Sequence, residues 1–216
     1  MRYPLGVAGV VFGAEDPVRA SERARELGFE HIDANIEVDP ATLALPVGCP
    51  FTPRPVPRFS SALVRNSWER TVEVFRDAPG CLLEPAARSL VNSDEKARAI
   101  CAEVPGLRLL IDTGHVADWG GDPVALLDLA GHVQLRQGKP GETQLHVDDR
   151  SGVVDFDSVL RRLDELGYDG LLSVEYFDLP DFGWPLADPI GWSCDLAHDV
   201  RARMRDRIPP GTGAAP

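Results

Sequence analysis

The chain has no Cys-x-x-Cys pair. Its four cysteines, Cys49, Cys81, Cys101 and Cys194, are scattered over 216 residues, which argues against a zinc knuckle or a redox pair. Cys81 and Cys101 lie in apolar or helical surroundings and are expected to be buried small hydrophobes. Long hydrophobic runs are also missing: no apolar stretch reaches the length that spans a bilayer. Met1 to Val11 has one arginine followed by apolar residues, without the full hydrophobic run and cleavage site of a signal peptide. A cytoplasmic, reduced protein is the expectation. Positive charge is scarce as well. The 22 Lys and Arg face 34 Asp and Glu, for a formal net charge of −12. Such a surface repels phosphate backbones, so a general nucleic-acid binder is disfavoured, although a local basic pocket for a small anion is not.

What is present is ordinary globular composition with a regular alternation of strands and helices. The length suits one domain, set at residues 1–208, with a Pro/Gly/Ala-rich tail at 209–216 expected to be disordered. Leu5 to Phe12 is apolar and reads as a buried strand. Asp16-Pro17 opens a helix, with Asp16 as N-cap and Pro17 at the first helical position, and Gly28 closes it. Phe29 to Ile36 is the next strand. This β-α-β unit implies a parallel sheet. Six prolines then crowd Asp39 to Arg58, and proline at that density breaks helices and central strands. Short strands are expected at Thr42 to Val47 and Phe59 to Val64. The segment is either a surface loop or a loop over a barrel mouth.

From Ser67 the alternation returns. Helices are expected over Trp68–Asp77, Ser93–Val104, Asp122–Leu129, Asp155–Leu166 and Asp195–Ile208. Strands are expected over Cys81–Glu84, Leu107–Asp112, His132–Arg136 and Gly170–Phe177. The order is that of an α/β protein. A closed (β/α)₈ barrel takes about 250 residues, so the expected fold is a shortened TIM-type (β/α) barrel, with the irregular proline-rich segment replacing part of the early barrel. An open doubly wound sheet is the alternative, but no G-x-G-x-x-G loop follows the first strand.

Polar residues collect where strands end. Glu84, Asp112 and Glu175 each close an apolar strand, and His132, Gln134 and Arg136 share one face of theirs, opposite Val133 and Leu135. A carboxylate at the end of a buried strand is costly unless it is paired, hydrogen-bonded or metal-bound. Three of them, with Gln134 and His115 nearby, suggest convergence on one cation: Mn, Mg, Co or Zn. A metal-free cluster paired with Arg136 and Arg88 is the competing arrangement. Elsewhere, His31 and His132 are expected to be hydrogen-bonded inside the barrel. Asp33, Asn35 and Glu37 are expected to be solvated strand-end residues, and His198 to face solvent. Trp184 and Trp192 would either wall the substrate or pack the barrel end.

These segments resemble the xylose isomerase-like TIM-barrel superfamily, which includes sugar phosphate isomerases/epimerases and AP endonuclease family 2. The resemblance is carried by Leu82-Leu-Glu-Pro85, Leu110-Ile-Asp-Thr-Gly-His115, Gly152-Val-Val-Asp-Phe156 and Gly167-Tyr-Asp-Gly-Leu-Leu-Ser-Val-Glu175. Asp39 to Arg58 does not fit it. In ketose epimerases of this superfamily a divalent metal is held by Glu, Asp, His and Glu on successive strands. The resemblance therefore implies metal ligation by Glu84, Asp112, Gln134 and Glu175, with Gln134 standing where the family has histidine. It also implies Glu84 and Glu175 as the catalytic acid and base, and His115 as a substrate contact. Arg136 is expected either to bind a substrate carboxylate or phosphate or to form a buried ion pair. His146 is either a substitute ligand beside the substrate or a surface residue. The implied function is isomerisation or epimerisation of a sugar or related hydroxy-carbonyl compound through an enediolate. The alternatives are a lyase, dehydratase or cyclase on the same scaffold, or a metal-free binding protein. A repair endonuclease is disfavoured, since five histidines in an acidic chain form no dense cluster. The expected partner is a small-molecule substrate, with neither nucleic acid nor membrane, and a homodimer would complete a shortened core.

Overall fold

A computed structural model describes residues 3–51 and 67–207. Strand β1 (Leu5–Ala8) is buried along its whole length. It stops four residues short of the expected Phe12. Gly9–Phe12 instead form a 3-10 turn that keeps Val11 and Phe12 buried. Helix α1 (Pro17–Glu26) starts as expected: the Asp16 side chain accepts from the backbone N–H of Val18 and Arg19. Gly28, at φ 84°, supplies the left-handed residue that ends it.

β2 (Ile32–Asn35) follows, then β3 (Val47–Phe51). The strand expected at Thr42 to Val47 is thus displaced. Asp39 and Pro40 start a 3-10 turn there, and Pro46 has no N–H to give a ladder, so strand structure begins beyond it. Among the described residues β3 is an edge strand, where Pro50 is tolerated. The strand expected at Phe59 to Val64, and the tail from 209, lie outside the described residues.

Next come α2 (Ser67–Arg76), the two-residue β4 (Leu82–Leu83), α3 (Asp94–Glu103) and β5 (Arg108–Asp112). Cys81 is exposed rather than buried, because it sits in the turn ahead of the two-residue β4; Cys101 is half-buried. A helix and a hairpin were not expected. α4 (Thr113–Asp118) begins directly on the last residue of β5. After α5 (Pro123–Leu126) and β6 (Ala130–Leu135), the chain makes an antiparallel hairpin of β7 (Gln137–Lys139) and β8 (Glu142–Leu145). Its turn contains Pro140-Gly141, with Gly141 at φ 82°, a dipeptide that marks such turns. α6 (Phe156–Leu166) is capped by Asp155 and closed by Gly167 at φ 64°. β9 (Leu172–Val174) and α7 (Pro189–Asp206) are the last described strand and helix. α7 starts six residues before the expected Asp195, since Asp188-Pro189 repeats the Asp-Pro opening of α1.

The seven strands of the main sheet lie in the order β3-β2-β1-β9-β6-β5-β4, and every pair is parallel. The first strand pairs with the last, Leu5 opposite Leu172 and Val7 opposite Val174. That is the closure of a barrel, and the order is otherwise sequential. Among the described residues the result is a seven-strand parallel half-barrel, a shortened TIM-type barrel, whose two ends are β3 and β4. Along β6, Val133 and Leu135 face the helices, while His132 and Gln134 face inward. Leu109, Ile111, Leu172 and Val174 join the apolar layer, with each of them buried. No helix among the described residues is long and apolar enough to cross a membrane.

Candidate active site at the strand ends

The sheet brings Glu84, Asp112, Gln134, Arg136 and Glu175 to the carboxyl ends of four adjacent strands, β4, β5, β6 and β9. Asp112 is fixed twice. Its Oδ1 accepts from the backbone N–H of Gly114 (2.7 Å) and His115 (3.2 Å), which caps α4. Its Oδ2 meets the Arg136 guanidinium. Arg136 Nη2 also lies 3.4 Å from Glu175 Oε2. Arg136 is completely buried, as is Asp112. The backbone of Arg136 is held by Thr113, whose hydroxyl accepts from its N–H and donates to its carbonyl. The Phe177 ring lies 4.4 Å beneath its guanidinium carbon. Of the two roles expected for Arg136, the geometry matches the buried ion pair.

His115 stands on α4 with Nε2 3.6 Å from Glu84 Oε1. Glu84, Asp112 and His115 each offer a ligand atom within 4.8 Å of the others, close enough to hold one metal ion. The resemblance implies a substrate contact for His115; the fold sets it beside Glu84 and Asp112, because α4 folds back onto the end of β5. The signal for this was Thr113-Gly114-His115 following Asp112 at once. Gln134 is 5% exposed. Its Nε2 donates to Asp33 (3.1 Å), and its Oε1 has no hydrogen-bond partner among the described residues. His146 is drawn elsewhere: its Nε2 is 3.1 Å from Asp195 and its ring packs edge-on against Trp192.

The electrostatics follow from crowding. Burial, then the neighbouring Asp112 charge, pushes Glu84 up to about 7. Since 41% of its side chain reaches solvent, water screens part of that push. Burial also holds Glu175 well above the usual carboxylate range, against the pull of Arg136. For Asp112 burial works upward, but Arg136, His115 and hydrogen bonds outweigh it and hold the carboxyl below its ordinary value. Burial lowers His115 to about 4, so its imidazole is neutral. The site thus has one carboxylate held below its ordinary value and two held above it.

Beneath it lies a polar network, of which the sequence announced the histidines but not Asp33. Asp33 was expected to be solvated; it is 1% exposed, because its strand pairs on both sides and its side chain faces inward. It sits 3.0 Å from His132 Nε2, and its Oδ1 accepts from Cys49 N–H at 2.8 Å. His31 Nε2 lies 3.0 Å from Ser173 Oγ, so both barrel histidines are hydrogen-bonded as expected. His198 is exposed, also as expected. At the rim, Trp184 packs against His115 and Phe177, with ring centroids 6.0 and 5.4 Å apart, and Arg88 lies over its face. Trp192 instead packs on Tyr176.

The family model for the xylose isomerase-like TIM barrel matches residues 11–197. The chain belongs to that family. Among solved structures, an L-ribulose 3-epimerase superposes with a TM-score of 0.69 at 16% identity, with all of both chains covered. The 3-keto-D-glucoside 4-epimerase of E. coli gives a TM-score of 0.63 at 17% identity, over 93% of this chain and all of the other. At these identities the likeness is one of fold. The rhizopine catabolism protein MocC of Rhizobium meliloti is 32% identical over 139 residues, 54% of this chain. The match spans 41% of that relative's length.

Proposed function

We propose that this member of the family is a divalent-metal-dependent isomerase or epimerase acting on a sugar or related hydroxy-carbonyl compound through an enediolate. The observation that carries the proposal is the gathering of Glu84, Asp112 and Glu175 at adjacent strand ends around a single buried guanidinium. Arg136 offsets one negative charge. The remainder calls for protons or a cation, and burial raises both Glu84 and Glu175 above the ordinary carboxylate value. The names of the structural neighbours, epimerases of ribulose and of a keto-glucoside, favour a sugar-like substrate.

The residues fit a divalent ion. Glu84, Asp112 and His115 converge within 4.8 Å, and the unpartnered Gln134 Oε1 is a further oxygen donor. Mixed oxygen and imidazole sets suit Mn, Co or Zn, and oxygen-rich ones Mg. A bound ion would polarise the substrate carbonyl and acidify the neighbouring C–H. Moving the proton falls to the protein's own side chains. The strand order puts Glu84 and Glu175 on opposite sides of the Asp112–Arg136 pair. One, as carboxylate, takes the proton from the carbon beside the carbonyl; the other, as carboxylic acid, returns one to the opposite face. Asp112 stays ionised, and the Phe177 and Trp184 rings give the mouth an apolar wall.

The test is deuterium incorporation beside the carbonyl of ketoses in heavy water, with added Mn²⁺, Co²⁺ or Mg²⁺ and with chelator. Metal-dependent exchange supports the proposal; no exchange with any ketose, and no metal retained after purification without chelator, would sink it. One observation favours a second reading, a metal-free binding protein: Arg136 already contacts both Asp112 and Glu175, as a cation would.

A further inference from the structure

Gln134 has two ends in a buried place. The strands pair Gln134 with Asp112 on one side and with Ser173 on the other. The Asp33 carboxylate uses both oxygens as acceptors: Oδ1 from the Cys49 N–H, Oδ2 from His132 and from Gln134. A carboxylate offers only acceptors, so the amide of Gln134 must turn its NH₂ to Asp33 and its oxygen away. That oxygen is buried and unpartnered among the described residues, on the strand beside Asp112. Asp112, itself an acceptor already met by Gly114, His115 and Arg136, cannot satisfy it, and an unmet buried carbonyl is costly. A cation held beside Asp112 would satisfy it.

We infer that Asp33 is a positioning residue, which fixes the Gln134 amide so that its carbonyl oxygen joins Glu84, Asp112 and His115 as a donor to a divalent cation. The inference rests on the metal reading above. It gives the polar barrel interior a purpose. His132 and the Cys49 amide hold Asp33, Asp33 holds Gln134, and Gln134 presents oxygen. Partners behind a metal ligand commonly contribute 10–100-fold in affinity, roughly.

The experiment measures Mn²⁺ affinity by the electron paramagnetic resonance of free and bound Mn²⁺, on the full chain. The proteins are wild type, Asp33→Asn, Gln134→Leu and the double variant. Asp33→Asn and Gln134→Leu are each expected to weaken binding about 10–100-fold and to give the same altered bound-Mn²⁺ line shape. In the Gln134→Leu background, Asp33→Asn is expected to cost little more. A simple charge effect of Asp33 would persist in that background at full size, and such additivity overturns the inference while leaving the metal reading intact. So does wild-type affinity in Gln134→Leu, which decides the matter even if Asp33→Asn fails to fold. Wild-type protein that binds no Mn²⁺ overturns both.

Discussion

Arg136 and Asp112 form an ion pair in which neither side chain reaches solvent. Asp112 also caps α4, and Arg136 reaches on to Glu175. Removing one member of such a pair leaves a buried charge unmatched. Arg136→Ala is therefore expected to lower the unfolding free energy by about 3–5 kcal/mol, measured in urea. Arg136→Met combined with Asp112→Leu should lose clearly less. Equal loss in both would show that packing, not charge, dominates there.

Glu84 gives a pH signature. Its carboxyl is raised from 4.5 to about 7 on folding, so the folded state binds that proton more tightly. The contribution is complete below 4.5 and is lost as pH rises through about 7. His115, lowered from 6.5 to about 4, has the opposite sign: its contribution is complete above 6.5 and lost as pH falls through about 4. The two slopes oppose each other over much of the acid range. Glu84→Gln removes one of them. Its stability relative to wild type, without metal, is expected to rise with pH across that window. A flat difference would place Glu84 in an ordinary, solvated state.

Under the proposed function, Glu175 separates holding a cation from moving a proton. It contacts Arg136 and stands outside the converging Glu84, Asp112 and His115 group. Glu175→Gln is expected to keep most of the bound Mn²⁺ and to lose turnover by about 10²–10⁴-fold. Metal analysis alongside kcat checks this. Loss of metal in step with activity would make Glu175 a ligand instead.

His31 fills its space completely. A Cβ on Gly6 would fall 2.3 Å from the His31 ring, and one on Gly48 2.1 Å from it. Since His31 is tied to Ser173, it cannot easily yield. Gly6→Ala is expected to cost about 1–3 kcal/mol by overpacking, and less in a His31→Ala background. Denaturation of the four proteins of that cycle measures it.

The order of elements was legible because local chemistry writes it. Asp16-Pro17, Ser93 and Asp155 each cap the helix that their sequence announces, and apolar runs such as Leu107–Asp112 mark strands. The Pro140-Gly141 turn and the Asp188-Pro189 cap carried the same kind of signal for the hairpin and the early start of α7. Glu84, Asp112 and Glu175 were legible as strand-end acids for the same reason.

What those acids meet was decided elsewhere. Arg136 faces Asp112 across 24 residues, and Gln134 faces Asp33 across 101. No local pattern encodes such pairs; they exist because β1 closes on β9 and the remaining strands fall in sequential order. That closure buried Asp33, placed the barrel histidines around it and turned the Gln134 carbonyl away from it. The sequence by itself determined the helices, the strands and the acids at their ends. Only the tertiary structure chose their partners, because burial and charge pairing depend on which strands lie side by side.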